Sequence, residues 1–234
     1  ALGTLQPGDR FNVIGFGSTV DRLFPQSVAY DDTALAEARS AVGRWDADLG
    51  GTAILRPLRE VLEAPAGDLP RRLLVLTDGE VANEEACFEV ARRHPEATVF
   101  TIGVGYGASD HLVRGLARAG RGQAEFVHPG ERIEAALMRQ MARLTTVGLL
   151  EPIIDWGGLQ PDLVAPAQLP PLYPGTPLTV FARVPAARRA PGEGDRSFAA
   201  GSARPVQVTL TATGPDGETR LTAAADLGRA AADE

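Results

Sequence analysis

Lysine is missing from this chain, so all 23 of its basic residues are arginines, and 30 acidic residues leave a formal net charge of −7. Gripping a nucleic-acid backbone requires clustered cations. No basic stripe with interleaved aromatics occurs, and nucleic acid is not an expected partner. The Ala, Gly and Arg richness that accompanies the lysine deficit reads as composition and carries no recognition signal. Cysteine is almost missing too: Cys87 stands alone in a segment of helical pattern. It can join no disulfide framework and is expected to act as a small buried apolar side chain. A single thiol slightly favours a reducing, cytoplasmic compartment, and the compartment is otherwise left open. No run approaches the ~20 apolar residues of a membrane span, and no charged-then-apolar signal segment opens the chain.

What is present is ordinary for a folded protein. Hydrophobic residues make up 44% and charged residues 23% of 234 positions, close to the globular average. That length suits one α/β domain of ~150 residues with a remainder to be explained.

The segment FNVIGF at 11–16 follows a Pro7-Gly8-Asp9 turn and reads as a short strand buried on both faces, a parallel-sheet signal. LFPQSVAY at 23–30 carries Pro25, which cannot donate to a ladder, and is expected at a sheet edge. Asp32 is expected to cap a helix with Leu35, Ala38, Val42 and Trp45 on one stripe, ending before Gly50-Gly51. A second helix is expected from Thr52, with Ile54, Leu55, Leu58 and Leu62 inward and Pro57 tolerated near its start. RRLLVLTDGE at 71–80 gives the clearest strand, ended by Thr77-Asp78-Gly79. The rhythm then repeats as helix 83–94, strand 98–105, helix 109–119, strand 124–128 and helix 130–144. Strands alternating with helices of this length call for crossovers that cover both faces of a parallel sheet. After Thr146, LLEPIIDWG, LTVFARV and PVQVTLTATG are separated by Pro- and Gly-rich stretches without helices, which points to antiparallel β structure. The expected organisation is an α/β domain at 1–145 and an incomplete β-rich region at 146–234.

In an open parallel sheet, ligands collect where the strands end at their carboxyl edge. Asp78 places a carboxylate there, and Gly50-Gly51-Thr52 places a hydroxyl at a helix start. Such oxygen donors suit a hard cation such as Mg²⁺ and offer nothing soft for zinc or copper. Taken singly, Asp78-Gly79 could be a simple turn and Thr52 a simple cap. Neighbouring Glu80 and Asp48 read as solvated or capping residues.

In this order and at these spacings, FNVIGFGS, LFPQSV, DADLGGTAIL, LVLTDGEV, TIGVGYGAS and LARAGRGQAEFV resemble a von Willebrand factor type A (VWA) domain. The narrower likeness is to the group in which that domain follows an inter-alpha-trypsin-inhibitor-type (VIT) domain. The resemblance covers roughly residues 1–145 and extends loosely into the β segment. LGGT and TDGE together are specific, whereas either alone is weak. The resemblance implies a doubly wound, mainly parallel, Rossmann-like sheet, and a protein-interaction or adhesion module rather than an enzyme. It also implies a metal-ion-dependent adhesion site (MIDAS) for Mg²⁺ or Mn²⁺, at which a partner's acidic side chain completes the coordination. The family's second-loop threonine matches Thr52 and its third-loop aspartate matches Asp78; its DxSxS loop has no counterpart in this sequence. The chain is therefore expected to be truncated at its N-terminus, beginning late in the helix after that loop and lacking the first central strand. Two oxygen groups cannot satisfy an ion that takes about six ligands, so metal binding by this chain alone is expected to be weak or absent. The strands at 11–16 and 72–77 would then flank a gap.

Two other readings stay open. One is a nucleotide-binding or enzymatic domain using Gly103-Val104-Gly105-Tyr106-Gly107, a loop between strand and helix that lacks both the third-glycine spacing of a dinucleotide fingerprint and a phosphate-reading lysine. Its expected acidic partner, Glu125, falls inside a strand. The other is a scaffold whose metal site has decayed. Ser109-Asp110-His111 has the residue types of a hydrolytic triad, but neighbours on one helix start cannot form a relay. His94, His111 and His128 are too scattered for a metal cluster.

Overall fold

The mostly apolar run ATVFTIGV forms, in the structure, a computed structural model, the middle strand of a parallel sheet. Residues 2–45, 50–51, 53–65, 67–81, 83–185, 205–214 and 217–226 are described. Strands β5 (Arg71–Thr77), β6 (Ala97–Val104) and β7 (Arg121–Val127) lie in the order β5-β6-β7. The β5–β6 ladder pairs Arg71 with Ala97 through Thr77 with Gly103. On one face, Ala97 and Val99 join a core with Ile54, Leu58 and Leu62 of α2 (Leu55–Leu62) and its N-cap, with Cys87 and Phe88 of α3 (Glu84–Arg93), and with Leu112 and Leu116 of α4 (Asp110–Ala119). On the other face, Ile102 and Val127 pack with Ala136 of α5 (Ile133–Leu144). Helices thus cover both faces, the doubly wound α/β arrangement, and each buried aliphatic side chain contributes on the order of 1.5–3 kcal/mol.

Polar groups reinforce that seal. The Thr101 hydroxyl donates to the Val113 carbonyl at 2.7 Å. The buried Gln140 amide donates to the carbonyls of Thr101 at 3.2 Å and Gln123 at 3.0 Å, tying α5 to two adjacent strands. Strand β7 starts three residues earlier than the apolar run AEFVH predicts. Gly122 explains how, since a Cβ there would lie 2.2 Å from the Val99 carbonyl oxygen; the glycine lets the backbones close where no side-chain pattern advertises a strand.

The N-terminal portion corrects several expectations. FNVIGF is not one parallel strand: it splits into β1 (Arg10–Phe11) and β2 (Ile14–Phe16), and both pair antiparallel. Asn12 breaks it, because its amide donates to the Phe24 carbonyl at 2.8 Å while its side-chain oxygen accepts from the backbone N–H of Val13 at 2.8 Å and of Phe24 at 3.1 Å. The side chain thereby takes the place of a strand neighbour. Of the expected edge strand at 23–30 only β4 (Val28–Ala29) forms, on β1; residues 23–26, Pro25 among them, bend after β3 (Val20–Arg22), which lies before the expected strand and pairs with β2. Phe11 and Phe24 meet edge to face at 5.9 Å and form a satellite core with Ala38 of α1 (Asp32–Val42). That helix is capped by Asp31, not Asp32, through a 2.7 Å bond accepted from Ala34 N–H. It ends at Gly43, and Val42 is 44% exposed rather than inward.

The chain divides into two compact units, Ala1–Thr146 and Val147–Glu234. In the second, β8 (Leu150–Asp155), β11 (Pro205–Gly214) and β12 (Gly217–Asp226) form an antiparallel sheet in the order β12-β11-β8. A separate antiparallel ladder joins β9 (Leu163–Ala165) to β10 (Phe181–Arg183) and is latched by Arg183 on the Asp162 carboxylate at 2.8 and 3.0 Å.

Candidate metal-site loops at the carboxyl edge

Asp78 follows β5 directly and is exposed at the carboxyl edge of the sheet. Thr52 and Asp48 lie outside the described residues, but the residues on either side of Thr52 are held in a definite way. The Gly51 N–H donates to the Ser18 hydroxyl at 3.2 Å, and the Ala53 N–H donates to the Gly17 carbonyl at 3.3 Å. The turn between β2 and β3 therefore grips the Gly50–Ala53 loop at two points. Ser18 was not among the residues expected from sequence. Nothing local in FGST says that the Ser18 hydroxyl reaches a loop 33 positions away.

Ala53, Glu80, Val81 and Asn83 line a cleft of about 760 Å³ together with Arg56, Arg59, Glu60 and Glu63 of α2 and its C-cap. The loop after Thr52 and the loop after Asp78 thus open onto one concavity. Glu60 is held below the ordinary carboxylate range by its hydrogen bond from Arg56, against the opposing effect of burial, and by the charges of Arg22 and Arg56. Its two arginine partners make it a structural anchor at the cleft wall rather than a free acid.

Among the described residues no group of three or more His, Cys, Asp or Glu side chains could hold a metal ion. The donors these loops present, the Asp78 carboxylate and, on the turn that holds the Gly50–Ala53 loop, the Ser18 hydroxyl, suit a hard cation in kind but fall short of about six ligands in number. Residues from the described loops alone do not make a metal centre.

The glycine loop after β6 has local reasons for its composition. Gly105 has a φ of +75° and its N–H donates to Val127 O at 2.8 Å. A Cβ on Gly107 would meet the Asp78 carbonyl oxygen at 2.6 Å. The following helix α4 is already capped by Ser109, whose hydroxyl accepts from Leu112 N–H at 3.1 Å. Glu125, the acid a dinucleotide would need, is engaged by Arg139 and by Arg143, the latter at 2.9 Å. The loop is built for packing against its neighbours, and this geometry lends nucleotide binding no support.

Ser109 and His111 do converge, on a residue from another helix: the Ser109 hydroxyl donates to Glu84 Oε1, and His111 Nε2 lies 3.7 Å from Glu84 Oε2. The carboxylate sits between hydroxyl and imidazole, whereas a relay needs the imidazole in the middle. His94 pairs locally with Glu96 at 2.9 Å, away from that cluster. Cys87, packed in the main core, has its thiol pushed up to about 11 by burial and by the nearby Glu84 charge, which leaves it unreactive near neutrality.

The family profile described as von Willebrand factor type A domain matches residues 1–126. The human von Willebrand factor A domain-containing protein 5B1 is 36% identical over 187 residues, covering 77% of this chain and 15% of that protein. The rat von Willebrand factor A domain-containing protein 5A is 35% identical over 188 residues, covering 78% of this chain and 23% of that protein. The chain spans less than a quarter of the length of either relative. A solved von Willebrand factor type A protein from Catenulispora acidiphila superposes with a TM-score of 0.56 at 20% identity, over 95% of this chain and 58% of that one, and so shares the fold. With a profile match over more than half its residues and these two relatives, the chain belongs to the von Willebrand factor type A domain family.

Proposed function

We propose that this chain is a protein-interaction module whose binding face is the carboxyl edge of the β5-β6-β7 sheet. Recognition there depends on a divalent cation, Mg²⁺ or Mn²⁺, wherever these loops are joined by a DxSxS loop. The VWA family membership supports an interaction module in general terms, and the metal dependence is the further step. Asp78 and Thr52 are this chain's contributions to the ion, the other ligands coming from the DxSxS loop. The bound ion supplies a fixed positive charge that favours partners offering an acidic side chain. The observation that carries this reading is the shared cleft. Ala53, next to Thr52, and Glu80, two residues past Asp78, line one concavity, and the loop bearing Thr52 is gripped on both sides. A VIT domain in the same polypeptide belongs to this reading on the strength of the motif resemblance alone. The module performs no covalent chemistry in this reading.

The test is thermal melting of the full-length gene product in Mg²⁺ and in EDTA. An ion that binds only the folded state stabilises by RT ln(1 + [L]/Kd), or about 2.7 kcal/mol at a hundredfold excess over Kd. Asp78→Ala should remove most of that shift, and Asp110→Ala should not, because Asp110 pairs with Arg114 within α4. A metal shift insensitive to Asp78→Ala would show that the ion sits elsewhere, and no shift at all would favour a scaffold without a working metal site.

A further inference from the structure

Glu60 stands on α2 and lines the cleft, and its two carboxylate oxygens serve different partners. Oε1 accepts from Arg56 Nε at 3.0 Å within the helix, while Oε2 accepts from Arg22 Nη2, which belongs to β3 and lies 38 positions earlier. A pair such as Arg56–Glu60, one helical turn apart, is a common surface feature that contributes little by itself. The Arg22 contact differs because it crosses between elements. Among the described residues the β2–β3 hairpin forms a sheet of its own, so side-chain and loop contacts must hold it in place. Phe16 of β2 packs on the core that contains Leu58 and Leu62 of α2. At the hairpin's turn, the Ser18 hydroxyl and the Gly17 carbonyl accept from the N–H groups of Gly51 and Ala53, just ahead of α2. The approach there is close, since a Cβ on Gly50, whose φ is +73°, would lie 2.8 Å from the Ser18 hydroxyl oxygen. At the hairpin's base, Arg22 pairs with Glu60.

The two spans match in length. From Thr19 to Arg22 the extended chain rises about 10 Å, and from Ile54 to Glu60 the helix rises about 9 Å. The hairpin is therefore long enough to run beside the start of α2 and be fixed at both ends. These contacts close a ring, from the Gly50–Ala53 loop along α2 to Glu60, across to Arg22, and back along β3 to the loop. We propose that Glu60 is the positioning residue of the Gly50–Ala53 loop: it holds the β2–β3 hairpin against α2 as a splint, and the turn of that splint sets the loop. The splint forms without an ion and without a partner. Its consequence for recognition rests on the reading of the carboxyl edge as the binding face, because the loop that it sets reaches the cleft through Ala53. A loop already fixed in this way has less ordering left to lose when a partner engages it.

Hydrogen exchange of the full-length gene product, read by mass spectrometry in EDTA, tests the splint. Peptides spanning 50–54 report the loop, and peptides from β6 report the buried core. Arg22→Ala and Glu60→Ala should each speed loop exchange by about two- to fivefold, the size expected of an exposed ion pair, with β6 unchanged. Combining the two should give exchange no faster than Glu60→Ala alone, because both break the same link. Arg22→Lys, which keeps the charge, should retain most of the protection, and Arg56→Ala should have the smaller effect because the Arg22 link remains. Loop exchange unchanged in Arg22→Ala overturns the proposal. Equal acceleration in the loop and in β6 overturns it too, since the bridge would then support the whole domain rather than the loop. Additive effects of the two alanine substitutions would likewise sink it, because the residues would be acting independently. Exchange is measured without metal, so a failed Mg²⁺ melting test leaves the splint standing, and a failed exchange test leaves the metal reading untouched.

Discussion

Strands β5 and β6 are neighbours with similar apolar runs, LLVL and VFTI, yet they end up in different surroundings. Along β6 nearly every side chain is buried, because β5 and β7 flank it and helices cover both its faces. Along β5 most side chains are only half buried and Leu76 is 36% exposed, because β5 is the last strand of its ladder among the described residues. Hydrophobicity brings a strand into a sheet, but neighbours on both edges decide how far it is sealed. The candidate binding loops belong to the less sealed side: Asp78 caps β5, and the Gly50–Ala53 loop hangs on the β2–β3 turn.

The sharpest test of that contrast compares one residue from each strand. Ile102→Ala, in the fully buried core, should destabilise by about 2–5 kcal/mol, whereas Leu76→Ala should cost under about 1 kcal/mol. Urea denaturation midpoints measure both; equal losses would mean that β5 is covered in solution as thoroughly as β6. A smaller effect is expected from the thiol sealed in the same core. Cys87 in the folded chain stays protonated up to about 11, above the ~8.5 of an exposed thiol. The folded state therefore holds its proton more tightly, and this contribution to stability is complete below about pH 8.5 and is lost as pH rises toward 11. Alkylation by iodoacetamide at pH 8 should be negligible until the chain unfolds, and rapid native-state labelling would contradict the burial. The smallest effect belongs to the less sealed side. Ser18→Ala removes one exposed hydrogen bond to Gly51 and should cost about 0.5–1 kcal/mol, with a weakened Mg²⁺ response in the full-length protein as its specific signature. An unchanged Mg²⁺ affinity would make Ser18 a turn residue without influence on the metal loop.

The parts of the fold legible in sequence are those in which local pattern and tertiary environment agree. The apolar run before Thr77-Asp78-Gly79, the mostly apolar stretch at 98–105 and the helical pattern at 109–119 each announce an element that the structure contains. The misreadings fall where a side chain or a glycine overrides the pattern. Asn12 replaces a ladder partner inside an apolar run, and Gly122 permits a strand start in residues with no strand character. The candidate site divides in the same way. The position of Asp78 is legible because it follows a strong strand, while the Ser18 grip and the close approach of Gly107 to the Asp78 carbonyl depend on loops far apart in the chain.

Sequence alone determined the order of strands and helices from β5 to α5, the absence of lysine and of paired cysteines, and the LGGT and TDGE motifs that mark the family. These are properties of short stretches, set by periodicity and by side-chain chemistry. Tertiary structure decided which apolar strand is sealed and which is left at an edge, that the β2–β3 turn grips the Gly50–Ala53 loop, and that Gly107 lies against Asp78 with Tyr106 held outward. Those outcomes depend on which backbones can approach one another across the whole domain, and close approach is a relation between distant segments that no local pattern encodes.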